Sequence, residues 1–118
     1  MVEGTAPEAT AVLVICNGGF AGMEHGLSAD ETLIGRNPTT DITLLDEGIS
    51  REHAIILRDE GTQTFAIEDL QSTNGTKVNG KRIRSAELSH GDEIEIGHTR
   101  FCFWLSDQPR IATPAGSA

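Results

Sequence analysis

Ser50 and His53, three residues apart in ISREHA, are the closest approach in this sequence to a nucleophile beside its base. In an extended segment those positions face opposite ways, so the two side chains could meet only at an irregular turn. No GxSxG, HExxH or phosphate-loop pattern accompanies them. The carboxylate pairs Asp46-Glu47, Asp59-Glu60, Glu68-Asp69 and Asp92-Glu93 stand at turn positions and read as solvated turn formers rather than acid–base pairs. No catalytic residue is therefore assigned. His25, His53, His90 and His98 lack the spacing of metal ligands, and Cys16 and Cys102 are too few and too far apart for a zinc site, so neither metal nor cofactor is expected. Both cysteines read as buried reduced thiols in apolar strands, with a disulfide joining the first and last strands as the alternative.

The cations are more suggestive. Of nine basic residues, Arg36 and Arg51 each stand at a strand-to-loop junction, while Lys77, Lys81, Arg82 and Arg84 crowd the segment DLQSTNGTKVNGKRI. If these loops meet in space, a chain of net charge −9 carries one basic end; solvated loop charges without a common purpose are the alternative. The net charge itself argues against nucleic acid, whose phosphates demand an excess of Lys and Arg. The same segment holds two Asn-Gly pairs, Asn74-Gly75 and Asn79-Gly80. Asn-Gly favours a two-residue hairpin turn because both residues tolerate positive φ. TKV and KRI flank the second pair like short strands, which leaves the first without an obvious purpose.

The elements that must hold these residues are short strands. AVLVIC, TLIGR, ITLL, HAIILR, TFAIEDL, TKV, KRI, EIEIG and TRFCFWL alternate with Gly-, Pro-, Asn- and Asp-rich punctuation. In TRFCFWL, Phe101, Phe103 and Leu105 share one face and Cys102 and Trp104 the other. Only KRIRSAELSH runs long enough without Gly or Pro to suggest a helix, and its apolar stripe is thin. The pattern predicts one all-β domain, a sandwich or barrel, in a chain of 118 residues. Residues 1–10 and 106–118 read as disordered tails or linker stubs. The start lacks a basic n-region, and AVLVIC is too short to cross a bilayer, so a cytoplasmic protein without membrane attachment is expected.

In order along the chain, LIGR, GISREHA, STNGT, VNG and GDEIEIG stand at the order and approximate spacing found in the forkhead-associated (FHA) domain family, which residues 11–105 resemble. The resemblance implies a β-sandwich of two sheets and about eleven short strands, with loops at one end that bind phosphothreonine peptides. It assigns the phosphate to Arg36, Ser50 and Arg51: a doubly charged ester needs a fixed cation and several donors, and a guanidinium offers charge-assisted bonds worth roughly 1.5 to 3 kcal/mol each. It assigns the peptide backbone to Thr73 and Asn74, whose carboxamide both donates and accepts. Gly35, His53 and Gly75 correspond to structural supports of that site. The implied function is non-catalytic recognition of phosphothreonine in Ser/Thr kinase signalling, with phosphorylated proteins or peptides as partners and self-binding through a phosphorylated Thr5, Thr10 or Thr113 as a variant. A phosphate-independent structural or oligomerisation domain is the alternative.

Overall fold

The computed structural model describes residues 11–108. The expected tail 1–10 and residues 109–118 of the expected tail 106–118 lie outside this range, as do Thr5, Thr10 and Thr113. Among the described residues the chain forms eleven strands in two sheets. They are β1 (Ala11–Ile15), β2 (Glu24–Gly26), β3 (Glu31–Gly35), β4 (Ile42–Thr43), β5 (Ala54–Asp59), β6 (Thr64–Asp69), β7 (Thr76–Val78), β8 (Lys81–Ile83), β9 (Ser85–Leu88), β10 (Glu93–Ile96) and β11 (Thr99–Leu105). The six-stranded sheet runs β2-β1-β11-β10-β7-β8 and the five-stranded sheet β4-β3-β5-β6-β9. All pairings are antiparallel except β3 with β4.

Alternation decides which face of each strand is inward. Phe101 and Phe103 of β11, Ile94 and Ile96 of β10, and Leu13 and Ile15 of β1 point inward from the larger sheet. Ile34, Ile56, Phe65 and Ile67 meet them from the other. The Phe65 and Phe103 rings pack edge to face with centroids 5.3 Å apart, a favourable arrangement for opposed quadrupoles. KRIRSAELSH is not helical. It divides into β8 and β9, and β9 sets Leu88 opposite Phe65 and Ala86 opposite Ile67, burying more of its thin apolar stripe than a lone helix could.

The cysteines also depart from expectation. Cys16 is exposed, Cys102 is half-buried, and their sulfur atoms are juxtaposed where the end of the first strand meets the last, with the Cα atoms 6.4 Å apart. The cause is register. Val14 faces Cys102 across β1 and β11, so Cys16, two residues on, is the diagonal neighbour on the same outer face.

Strand pairing carries six connections to one end of the sandwich, among them those after β1 and after β8, since Ile15 pairs with Phe101 and Ile83 with Thr76. β3 ends where β5 begins, β6 ends beside them, and Thr76 at the start of β7 pairs with Ile96 at the end of β10. The segments after β3, between β4 and β5, between β6 and β7, and between β10 and β11 are therefore neighbours. No helix among the described residues is long and apolar enough to cross a membrane.

Candidate functional site

At that end the loops are laced by hydrogen bonds between residues far apart in sequence. The Arg36 amide donates to the Ser50 carbonyl at 3.0 Å, and its Nε donates to the Ile49 carbonyl at 3.0 Å. The second bond fixes the plane of an exposed guanidinium and leaves its terminal nitrogens for other acceptors. Gly35 is needed beside it: a Cβ there would collide with the Arg51 carbonyl oxygen and lie 2.8 Å from its carbon. Only glycine lets β3 and the Ser50–Arg51 turn approach so closely. The Arg51 carbonyl in turn accepts from the Asn37 amide, and the Arg51 side chain is exposed.

Ser50 is half-buried, and its Oγ accepts from the Thr73 amide at 3.1 Å, which leaves the hydroxyl proton for a further acceptor. Asn74 is exposed and donates from Nδ2 to the Gly48 carbonyl at 2.8 Å. Behind these groups His53 is fully buried. Its Nδ1 accepts from the Ser50 amide at 3.1 Å, so the ring proton sits on Nε2 and is donated to the Gly75 carbonyl at 2.8 Å. One imidazole thus joins the loop of Ser50 to the loop of Asn74. Ser50 and His53 do touch, but through the serine backbone, so the hydroxyl is not activated by this ring.

Two residues read from sequence as solvated turn formers instead brace the loops. Asp69 accepts from the Ser72 amide at 3.0 Å, the Ser72 hydroxyl at 2.5 Å and the Thr76 hydroxyl at 2.7 Å; the Ser72 Oγ then accepts from the Gly75 amide at 2.9 Å. Burial acts to raise the Asp69 pKa, but the three donors outweigh it and hold the carboxyl below its ordinary value. Asp46 accepts from the Gly48 amide and from both the amide and Nδ1 of His98. The Gly48 amide, then the His98 amide, hold its pKa down. Asp-x-x-Ser and Asp-x-Gly are loop patterns with this chemistry, a carboxylate closing on amides two or three residues on, and they were the signal available in the sequence.

The basic segment divides. Arg82 lays its guanidinium over Gly75, whereas Lys81 stands beside the Asn79-Gly80 turn at the other end of β7 and β8. Lys77 faces Arg82 on one side and Glu95 on the other. Arg36, Arg51, Arg82 and Arg84 stand at the loop end, the Arg84 carbonyl accepting from the Asp69 amide at 2.8 Å.

The FHA domain model matches residues 32–97, which hold all eight of these predicted site residues. An oxoglutarate dehydrogenase inhibitor of Corynebacterium jeikeium is 44% identical over 102 residues, 86% of this chain and 69% of that protein. A glycogen accumulation regulator, GarA, of Mycolicibacterium smegmatis is 43% identical over 102 residues, 86% of this chain and 63% of that protein. The chain thus spans about two thirds of the length of these relatives. A structure solved in work on phosphothreonine-dependent FHA domain interactions superposes with a TM-score of 0.74 at 33% identity, covering 80% of this chain and 95% of that one. Fold, motif order and matched residues agree: the chain belongs to the FHA domain family.

Proposed function

We propose that this protein is a non-catalytic, cytoplasmic module that binds phosphothreonine-containing partners of Ser/Thr kinases. The supporting observation is the lacing of Arg36, Ser50 and Asn74 onto adjoining loops through the Ser50 carbonyl, the Ser50 hydroxyl and the Gly48 carbonyl. In this reading the guanidinium of Arg36, the hydroxyl of Ser50 and the amide of Arg51 converge on the phosphate oxygens, with the Arg51 side chain at the rim. Thr73 and Asn74 hold the ligand backbone, while Gly35, His53 and Gly75 keep the loops in register. The donors are set before the ligand arrives, so little ordering entropy opposes binding. The descriptions of the relatives, an inhibitor of one enzyme and a regulator of accumulation, support a regulatory role in which the phosphate decides whether a partner is held.

The test is a calorimetric titration with matched peptides, phosphorylated and unphosphorylated on one threonine. The phosphorylated form should bind at least about a hundredfold more tightly, the equivalent of two charge-assisted bonds. Equal affinities would overturn the reading in favour of a phosphate-independent surface.

A further inference from the structure

Large apolar side chains gather at a place the phosphothreonine reading does not use. Among the described residues four of them are conspicuously exposed, and three, Phe20 at 70%, Met23 at 50% and Leu45 at 82%, line a single groove of about 520 Å³. The floor includes Ile15 and Leu44. Single exposed apolar residues are ordinary, but a cluster around one concavity marks a contact surface.

The loop that carries Phe20 is built to hold it. Asn17 donates from Nδ2 to the His98 carbonyl at 2.9 Å and accepts from the Arg100 amide at 2.9 Å, pinning the segment after β1 to the turn between β10 and β11. The Gly22 amide closes back on the Ile15 carbonyl at 2.7 Å. A phenyl ring held in water by a pinned loop gains nothing for the fold. It is arranged for something that covers it.

The occupant follows from what adjoins the groove. Asp46 and His98 form part of its wall, and the same Asp46 carboxylate accepts from the amide of Gly48, whose carbonyl holds Asn74. The groove is therefore continuous with the proposed peptide site across the segment from Asp46 to Gly48. We propose that it takes an apolar side chain of the same phosphothreonine ligand, a second anchor beyond the residues gripped by the loops. This inference rests on the phosphothreonine reading. The intervening segment is a turn closed by the Ile49 amide on the Asp46 carbonyl at 3.1 Å, so the anchor lies just beyond the ligand residues that the loops themselves hold. A net charge of −9 disfavours an anionic membrane surface as the occupant.

The experiment uses the full chain and long phosphothreonine peptides whose central residues come from a phosphothreonine library selection and whose flanks are Gly and Ser. One leucine is walked residue by residue along each flank, and affinity is read by fluorescence anisotropy. At one register, or two adjacent ones, affinity should rise about fivefold to tenfold, the effect of burying most of one leucine less the cost of ordering the flank. The double variant Phe20→Ser/Leu45→Ser should lose that gain and bind the leucine-free phosphopeptide as the parent does, since both side chains are exposed and support no core. Affinities independent of leucine position, with the leucine-free phosphopeptide still bound, would overturn the second anchor and leave the phosphothreonine reading standing. A concentration-dependent dimer dissolved by the double substitution, without any positional gain, would give the groove to a second copy and overturn it equally. Absence of phosphate-dependent binding to every peptide would overturn the underlying reading, and this inference with it.

Discussion

The two Asn-Gly pairs use the same dipeptide at opposite ends of β7 for different ends. Asn79 and Gly80 both take positive φ, 52° and 84°, as a tight hairpin turn requires. Gly80 faces open space, and the Asn79 side chain is spent on the fold, donating to Asp92 and accepting from the Glu93 amide. In the other pair only the glycine is left-handed, at φ 89°. Gly75 is buried, both its amide and its carbonyl are engaged, and Arg82 covers it, while the Asn74 side chain remains exposed. Context made the difference. A strand on each side turns Asn-Gly into a hairpin, whereas Asp69 and Ser72 before it and His53 behind it turn the same dipeptide into a loop that displays a carboxamide.

The largest break in that contrast is His53→Ala, which removes both ring bonds and leaves a buried void. It should cost about 3 kcal/mol in chemical denaturation and weaken phosphopeptide binding as well. An unchanged midpoint would show that the two loops do not hang on the imidazole. Next comes the crossed pair. Asn74→Ala should lower phosphopeptide affinity about tenfold or more with stability nearly unchanged, whereas Asn79→Ala should cost about 1 to 2 kcal/mol of stability and leave affinity alone. If the two substitutions exchanged effects, the roles given to the pairs would be wrong.

The smallest effect is on pH, and it separates ligand from loop. Asp46 and Asp69 have folded-state pKa values below the ordinary 3.8. A depressed carboxylate contributes stability above its unfolded pKa and loses it as pH falls through the folded one, so the bracing persists down to about 3.8 and fails only below. The phosphate loses its second charge near pH 6. Affinity should therefore decline by a few-fold from pH 7 to pH 5, while circular dichroism stays native. Loss of native signal already at pH 5 would contradict the bracing role of the two aspartates.

Most of the strands were legible because apolar and polar residues alternate within short runs such as EIEIG and TRFCFWL, and that local pattern survives in the fold. β9 was obscured because SAEL carries little alternation, and its pairing with β6 is a tertiary fact. The motif positions around the site were visible because Arg36, Ser50 and Asn74 fall in order within LIGR, GISREHA and STNGT, although serine and asparagine taken singly are ordinary loop residues. Their supports were less so. Asp46 and Asp69 look like any turn carboxylate until the loops they brace are brought together, and nothing local announces that Cys16 and Cys102 occupy diagonal positions. The groove of Phe20, Met23 and Leu45 draws on the segment after β1, on β4 and on the turn before β11, so no single stretch could reveal it.

The most direct measurement is the titration of a phosphothreonine peptide into Arg36→Ala. Arg36 is exposed and its side chain makes one bond to the protein, to the Ile49 carbonyl, so the variant should unfold within about 1 kcal/mol of the parent. The account predicts that this folded protein no longer binds the peptide measurably. Full affinity in a folded Arg36→Ala protein would contradict it.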